Sequence, residues 1–312
     1  MQDTPNTFAE PLAGLNKADW ISKLEEISEE HGYFERLGSN HFAALVEDRS
    51  VLLVTFETLQ GIRALDEDAQ PLGWELVKSV GWSHLALISN GDTWFRDDSV
   101  YAYFDRLVDD GFFDSFEKVV FYGAGPCGYA AAAFSVVAPG ATVIAIQPQA
   151  TLNPEVTGWD ERFVDERRLD FTSRYGYAPD MLEAASNAFI LYDPFYTLDS
   201  MHAALFTRPN VTKLQMRHMG DTLQTHLLEM QLVYRMIAQA GAGKLSRTSF
   251  AKLLRARRDY APYLRHVMAT LDRDGRDALT MMLCENVTSR MNAPKFSRRL
   301  KELQDEYAAV QD

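Results

Sequence analysis

The chain has 312 residues, with 44 acidic against 31 basic side chains, a formal charge of −13 and 46% hydrophobic residues. This composition is typical of a globular protein with one large domain and an appendage, or with two domains. The acidic balance argues against non-specific binding to nucleic acid or to an anionic membrane, because both need a positive field. Two cysteines cannot form a disulfide framework and no zinc-ligand spacing occurs, so we expect a cytoplasmic protein without a metal or cofactor.

The N-terminal part of the chain predicts one helix and one pair of strands. Residues 1–17 are polar and form a loose lead-in without the basic and apolar regions of a signal peptide. Residues 18–31 carry apolar side chains at the 3.6-residue period of an amphipathic helix. The apolar runs at 41–47 and 51–57, joined by turn residues at 48–50, predict a β-hairpin. No run approaches the length of a membrane helix, so we expect no membrane span.

The middle of the chain alternates apolar strands with helices, which predicts a mostly parallel sheet. The predicted strands cover 83–89, 118–123, 141–147, 188–193 and 211–216. The predicted helices cover 99–109, 129–137, 181–186, 198–205 and 222–238. A sheet of this kind binds its ligand at the carboxyl ends of the strands, so the chemistry is expected there.

The C-terminal part differs in charge and in pattern. The segment AGAGK at 240–244 interrupts the helical spacing, and residues 244–312 contain 14 basic against 9 acidic side chains, a balance of +5 that leaves −18 for the first 243 residues. Only helical spacing follows. We therefore expect an α/β domain over 18–239 and a helical subdomain over 240–312. Its apolar residues need a partner surface, either in the same chain or, slightly favoured, in a homodimer.

The most informative stretch is VVFYGAGPCGYAAAAF, in which a strand runs into a glycine-rich turn and then a helix. Gly123, Gly125 and Gly128 match G-x-G-x-x-G, whose backbone approaches the pyrophosphate of a dinucleotide such as FAD or NAD. The same strand, turn and helix also fit the nucleophile elbow of a hydrolase. The next strand ends in Gln147 instead of an acid, and at least three strands precede the turn. Position therefore favours the elbow, with dinucleotide binding as the alternative.

Several short motifs in the same order resemble the α/β-hydrolase family, and within it the serine-hydrolase-like proteins of bacterial surface-polysaccharide and accessory-secretion systems. They are YGAGPCGYAA, IQPQA, YDPFYTLDSMHAAL and HMGDTLQTHLLEM, and the resemblance covers about residues 40–235. It implies an α/β-hydrolase fold with Gly125 at the nucleophile, Pro126 at the oxyanion donor, Asp193 at the acid and Asp221 at the base. Because glycine has no attacking atom and proline no N–H, it implies a degenerate hydrolase, a ligand-binding or scaffold protein of a bacterial cytoplasm.

An active hydrolase is the alternative, and it needs a displaced nucleophile. Cys127 follows in the first helical turn, where the helix dipole lowers the pKa of a thiol. His218 or His226 could replace the base, so that Cys127, Asp193 and His218 would form an esterase-like site. The other interpretation makes Cys127 a small buried residue and both histidines core or surface residues.

Two further segments lie near the predicted carboxyl edge. Trp94 and Arg96 follow the strand at 83–89 and could stack on or grip an unidentified small molecule, or belong to a loop that only packs over the cleft. Thr55, Glu57 and Thr58 lie at the end of the strand at 51–57. We expect these three residues to shape a pocket.

Overall fold

The computed structural model describes residues 10–48 and 50–311. The first nine residues of the predicted lead-in, and Arg49 of the predicted turn, lie outside the described residues. The chain divides into two compact units, the first ending at Phe250 and the second beginning at Ala251. The boundary predicted at Ala240 falls within a helix of the first unit. Within the described ranges, none of the helices combines the length and the hydrophobicity of a membrane span.

Eight strands and fourteen α-helices form over the described residues. The strands are β1 (Gly32–Leu37), β2 (His41–Val46), β3 (Val51–Thr58), β4 (Ser83–Ser89), β5 (Lys118–Ala124), β6 (Thr142–Ile146), β7 (Asn187–Tyr192) and β8 (Val211–Gln215). The helices up to the sixth strand are α1 (Lys17–His31), α2 (Leu59–Leu65), α3 (Trp74–Val80), α4 (Asp98–Asp109) and α5 (Pro126–Phe134). Those that follow are α6 (Pro154–Thr157), α7 (Ala178–Met181), α8 (Thr197–Leu205), α9 (Leu223–Glu229), α10 (Leu232–Gly241), α11 (Arg247–Leu253), α12 (Ala261–Arg273), α13 (Asp277–Thr288) and α14 (Pro294–Gln311).

All eight strands join one sheet in the order β1-β2-β4-β3-β5-β6-β7-β8. β2 is antiparallel to both of its neighbours, whereas β3 to β8 run parallel. The chain moves from β3 outward to β4, then returns to the other side of β3 with β5. The point where the strand order reverses therefore lies between β3 and β5. The predicted fold class, a mostly parallel sheet of the α/β-hydrolase type, is confirmed.

The predicted hairpin is wrong in its pairing. β2 and β3 do not pair, because β4 lies between them, with Leu45 opposite Leu85 on one side and Val54 opposite Leu85 on the other. The hairpin partner of β2 is β1, which the sequence analysis missed. β1 is an edge strand whose Glu35 and Arg36 form ion pairs with side chains outside the sheet, so its apolar signal is weak.

Both faces of the central strands are buried, which explains their continuous apolar sequences. Alternate residues of one strand enter different cores, as Leu85 and Ala86 of β4 do. Helix α5 crosses one face with every residue after Pro126 buried, and its small alanines allow that close approach. The helix predicted over 222–238 is instead two helices, because Gln231 adopts φ 56° between α9 and α10.

The second unit is helical, as predicted. Helices α12 to α14 enclose a small core of their own that includes Leu264, Cys284, Val287 and Phe296. The sulfur atoms of Cys284 and Met268 are 3.8 Å apart within it. The helical spacing of residues 249–271 is divided by a break before α12, where Pro262 stands in the first turn, since proline cannot continue a preceding helix.

Candidate functional site

A cavity of about 210 Å³ opens at the carboxyl ends of β3 and β5. This is the point where the strand order reverses, the usual ligand position in an open parallel sheet. Phe56, Glu57 and Thr58 line it from β3, and Pro126 and Cys127 line it from the start of α5. The remaining lining comes mainly from α2, the segment that follows it, α9 and α10. Glu57 and Thr58 thus occupy the pocket-shaping position that the sequence predicted.

Gly125 occupies the sharp turn between β5 and α5 with φ 56° and ψ −126°, a conformation that side-chain-bearing residues rarely adopt. The nucleophile elbow predicted for this turn requires a φ at Gly125 that is positive or otherwise strained, and the observed φ agrees with that prediction. Its N–H donates to the carbonyl of Ile146 at 2.8 Å, which fixes the turn against β6. A Cβ built on Gly125 would meet no atom within 4 Å. A side chain at this position would therefore project into open space.

The other two glycines of the turn serve close packing. A Cβ on Gly123 would lie 2.1 Å from the carbonyl oxygen of Cys127, and one on Gly128 would lie 3.0 Å from that of Ile146. Both positions thus bring the strand and the helix together without a side chain between them. β6 is followed by Gln147, whose amide donates to the Asp199 carboxylate at 2.7 Å. Close packing at the glycines is common to both motifs, but the dinucleotide alternative needs an acid after β6, where Gln147 stands.

Cys127 lies in the first turn of α5, as predicted, but its thiol has the opposite electrostatics to those expected. Only 7% of the residue is exposed. Burial, followed by the carboxylates of Glu57 and Asp92, raises the pKa of the Cys127 thiol well above its ordinary value. Because the thiolate is the nucleophilic form, this environment keeps the thiol protonated and unreactive. The expectation of a lowered pKa is corrected accordingly.

Asp193 holds a backbone loop. Its side chain is fully buried, and its Oδ2 accepts hydrogen bonds from the N–H groups of Met219 and Gly220 at 2.8 and 3.0 Å. Its Oδ1 accepts from the N–H of Phe195 at 3.0 Å. Three backbone donors therefore occupy the carboxylate that the resemblance places at the acid. The arrangement fixes the loop that precedes α9.

His218 and Asp221 lie in that loop. His218 adopts φ 62°, and its ring stacks on Phe195 with centroids 4.2 Å apart. Asp221 is exposed, and its backbone carbonyl accepts from the side-chain amide of Gln147 at 3.0 Å. Because Asp193 accepts hydrogen bonds from the backbone of residues 219 and 220, it lies beside the loop that carries His218 and Asp221. The described lining of the cavity contains none of the three.

Trp94 and Arg96 belong to the core. The Trp94 residue is 1% exposed, and its ring makes edge contacts with Phe163, Phe171 and Tyr129. The Arg96 guanidinium donates to the backbone carbonyls of residues 170 and 174, both at 2.7 Å. The predicted ligand contacts are therefore corrected to packing for Trp94 and to anchoring of the segment at 170–174 for Arg96.

A buried polar chain beneath the cavity was missed by the sequence analysis. The Thr55 hydroxyl donates to Glu57 Oε1 at 2.6 Å, and Oε2 accepts from the N–H of Leu72 at 3.1 Å. Since a hydroxyl has one hydrogen, its oxygen accepts from His84 Nε2 at 2.8 Å. Burial raises the pKa of Glu57 to about 7, against the hydrogen bonds from Thr55 and Leu72, and lowers the pKa of His84 to about 3.

A second buried network links the segments that follow β6 and β7. His202 donates from Nε2 to Asp160 at 2.8 Å, and its Nδ1 accepts from the N–H of Ala150 at 3.1 Å. The Arg162 guanidinium forms ion pairs with two carboxylates, with Oδ2 of Asp160 at 2.8 Å and with Oδ1 of Asp199 at 2.7 Å. Burial opposes ionisation of Asp160, but hydrogen bonds from His202 and Arg162 hold its pKa below the ordinary value. Each polar group has a protein partner, so the network is structural.

No protein-family model and no curated protein matches the chain. Among solved structures, the glycosylation-associated Gap123 complex of Streptococcus agalactiae aligns at 15% identity and a TM-score of 0.42, over 66% of this chain and 46% of that one. This chain thus spans less than half of that neighbour. An esterase of Pyrobaculum calidifontis aligns at 12% identity and a TM-score of 0.42, over 76% of this chain and 92% of the esterase. Est1E of Butyrivibrio proteoclasticus aligns at 14% identity and a TM-score of 0.43, over 66% of this chain and 97% of Est1E.

The strand order and the strained turn at Gly125 give the chain an α/β-hydrolase-like fold, with a cavity where the strand order reverses.

Proposed function

We propose that this protein is a catalytically degenerate α/β-hydrolase-like protein that binds a small molecule in the cavity between the ends of β3 and β5. One observation carries the proposal. The turn that presents the nucleophile in this fold is formed with φ 56° at Gly125, and the space for a side chain is open, but the residue has no side chain. Acyl transfer by a triad needs an attacking atom at that position.

Three further positions support the same conclusion. Pro126 follows Gly125 and has no N–H to donate to an oxyanion, so the usual backbone donor is lost. Asp193 uses its carboxylate to accept three backbone hydrogen bonds, which leaves it in a structural role. Asp221 lies in the loop that the resemblance assigns to the base, and a carboxylate cannot replace imidazole as acid and base near neutral pH.

The alternative, an esterase that uses Cys127, has weaker support. Cys127 lines the cavity, but the raised pKa of its thiol removes the thiolate that nucleophilic attack on an ester requires. Cys284 provides a matched control, because it is also free and buried but lies in the second unit.

The test uses the purified full chain with p-nitrophenyl acetate and butyrate, together with iodoacetamide as a thiol probe. We expect no turnover above the buffer rate in wild type, Cys127→Ala or Cys284→Ala. Turnover that is lost in Cys127→Ala and kept in Cys284→Ala would establish the esterase alternative instead. Turnover that both substitutions leave unchanged would also defeat the proposal, since it would require a different catalytic group.

We further propose a bacterial cytoplasmic location and a homodimer formed through the C-terminal helices. Two free cysteines suit a reducing compartment. Exposed apolar side chains on α13, with Leu279 44% and Met282 64% exposed, support a partner surface on the second unit.

A further inference from the structure

We propose that the cavity between the ends of β3 and β5 selects a cationic ligand, a primary ammonium group on a short apolar body. This inference rests on the proposed binding function and names the chemical class of the ligand. It follows from three independent properties of the cavity, which are its size, the sign of its charges and the hydrogen bonding of Glu57.

The volume and the lining of the cavity determine the size and the apolar character of the ligand. A cavity of about 150 Å³ lined by apolar side chains binds benzene, so 210 Å³ holds a somewhat larger molecule, on the order of ten non-hydrogen atoms. Phe56, Ile62 and Leu72 face the cavity and are themselves buried, and Leu228 contributes from α9. Walls of this kind favour a hydrocarbon chain or ring by removing it from water.

The charges around the cavity all have one sign. Glu57, Asp66 and Asp92 line it, and the described lining includes no lysine, arginine or histidine. Such a lining repels a carboxylate or phosphate and attracts a cation, most strongly where water is excluded. Asp92 is exposed at the rim, where it can guide a cation inward, whereas Asp66 accepts N–H bonds from Asp68 and Gln70 and fixes the wall.

Glu57 is the group positioned to bind the cation. Its two oxygens accept one hydrogen bond each, from the Thr55 hydroxyl and the Leu72 N–H, and both donors are neutral. Each carboxylate oxygen can accept a second hydrogen bond. An ammonium group offers three donors and supplies the positive charge that the described lining lacks, and a charged hydrogen bond is roughly twice as strong as a neutral one.

The test compares three probes of nearly equal size on the full chain at pH 7, namely n-hexylamine, 1-hexanol and hexanoate, by ligand-observed NMR titration. We expect hexylammonium to bind about tenfold more tightly than hexanol, and hexanoate to bind more weakly than hexanol. In Glu57→Gln the preference for the amine over the alcohol should fall from about tenfold to the two- to threefold that the rim carboxylate supplies. The control Asp114→Asn removes an exposed carboxylate outside the cavity and should leave the preference unchanged.

A proton readout separates binding at Glu57 from general attraction to an acidic protein. Burial raises the pKa of Glu57 to about 7, so part of the population carries a proton there at pH 7, and a bound ammonium favours the ionised form. Calorimetric titration in phosphate and in Tris should therefore report proton release when hexylammonium binds, and none in Glu57→Gln. If that variant does not fold, Asp92→Asn at the rim should weaken amine binding about two- to threefold and leave hexanol binding unchanged.

Hexanol or hexanoate binding as tightly as hexylamine would overturn the inference, as would unchanged amine preference in Glu57→Gln. Failure of all three probes to bind at millimolar concentration would overturn it as well. These results are distinct from failure of the proposed function, which is detected by ester turnover. A protein that hydrolyses esters defeats the proposed function whatever its ranking of probes, whereas a binding protein that prefers alcohols defeats only the ligand class.

Discussion

Replacing Glu57 by glutamine measures the free energy of ionising a carboxyl group in the cavity. The pKa of Glu57 rises from the ordinary value of 4.5 to about 7 on folding, mainly through burial. At 1.36 kcal/mol per pH unit, this difference corresponds to an upper limit of about 3 kcal/mol. Because the pKa is raised, the contribution of Glu57 to stability is complete below pH 4.5 and is lost as the pH rises through about 7.

Glutamine fits the same hydrogen-bonding site, so the substitution changes charge more than structure. Its carbonyl oxygen can accept from the N–H of Leu72, and its amide nitrogen can donate to the oxygen of Thr55. The hydroxyl of Thr55 then donates to Nε2 of His84, which is 2.8 Å away and accepts in the tautomer that carries its proton on Nδ1. We therefore expect Glu57→Gln to fold and to be more stable than wild type at alkaline pH.

Urea unfolding followed by tryptophan fluorescence is the measurement, and all five tryptophans lie in the first unit, between residues 20 and 159. Between pH 5.5 and 8.5, wild type should lose about 2 kcal/mol more stability than Glu57→Gln. His84, whose pKa is lowered to about 3, has the opposite sign, since its contribution is present above pH 6.5 and lost as the pH falls. It affects both proteins alike and cancels in the difference. Parallel pH profiles of the two proteins would refute the reasoning.

Three further predictions use the same chain. Gly123→Ala should lower the free energy of unfolding by at least about 3 kcal/mol, because the new Cβ would lie 2.1 Å from a carbonyl oxygen. Gly125→Ala should lower it only by the strain of a positive φ, about 1–3 kcal/mol. Equal losses of the two variants in urea unfolding would contradict this prediction. Asp193→Ala leaves three backbone N–H groups without their acceptor and should cost at least about 3 kcal/mol, so a loss below about 1 kcal/mol would rule out the structural role. Deletion of residues 251–312 should convert a dimer into a monomeric or aggregating product in light scattering, and an unchanged oligomeric state and melting temperature would exclude assembly through these helices.

The sequence predicted the sheet well where both faces of a strand are buried. Continuous apolar runs marked β4 to β8 to within a residue or so at most ends, because such strands need no polar alternation. The pairing of β2 and β3 could not be read in the same way. The four residues between them can close a hairpin, but at about 3.3 Å per residue they can also cross a strand that separates their neighbours by about 9.6 Å. The pairing is decided by β4, which takes the position beside β2 and begins 25 residues after the end of β3.

The same difference between local and long-range contacts explains which parts of the site could be predicted from the sequence. The turn at Gly125 is a local feature, so its position and its strained backbone followed from six residues of sequence. The chemistry of Glu57 is not local, since its carboxyl group depends on Leu72 and on the chain through Thr55 to His84. A glutamate that ends an apolar strand, two residues after a threonine on the same face, was the available signal.

Cys127 shows how the local and non-local effects compare in magnitude. A helix N-terminus stabilises a nearby anion by about 0.3–1 kcal/mol, which lowers the pKa of a thiol by less than one pH unit. Burial away from water can raise the pKa of an acidic group by as much as 3–5 units, and here the carboxylates of Glu57 and Asp92 act in the same direction. Burial therefore outweighs the dipole at Cys127. The helix position alone predicted a reactive thiol, whereas the cavity that surrounds it keeps the proton on sulfur and presents a surface suited to binding a cation.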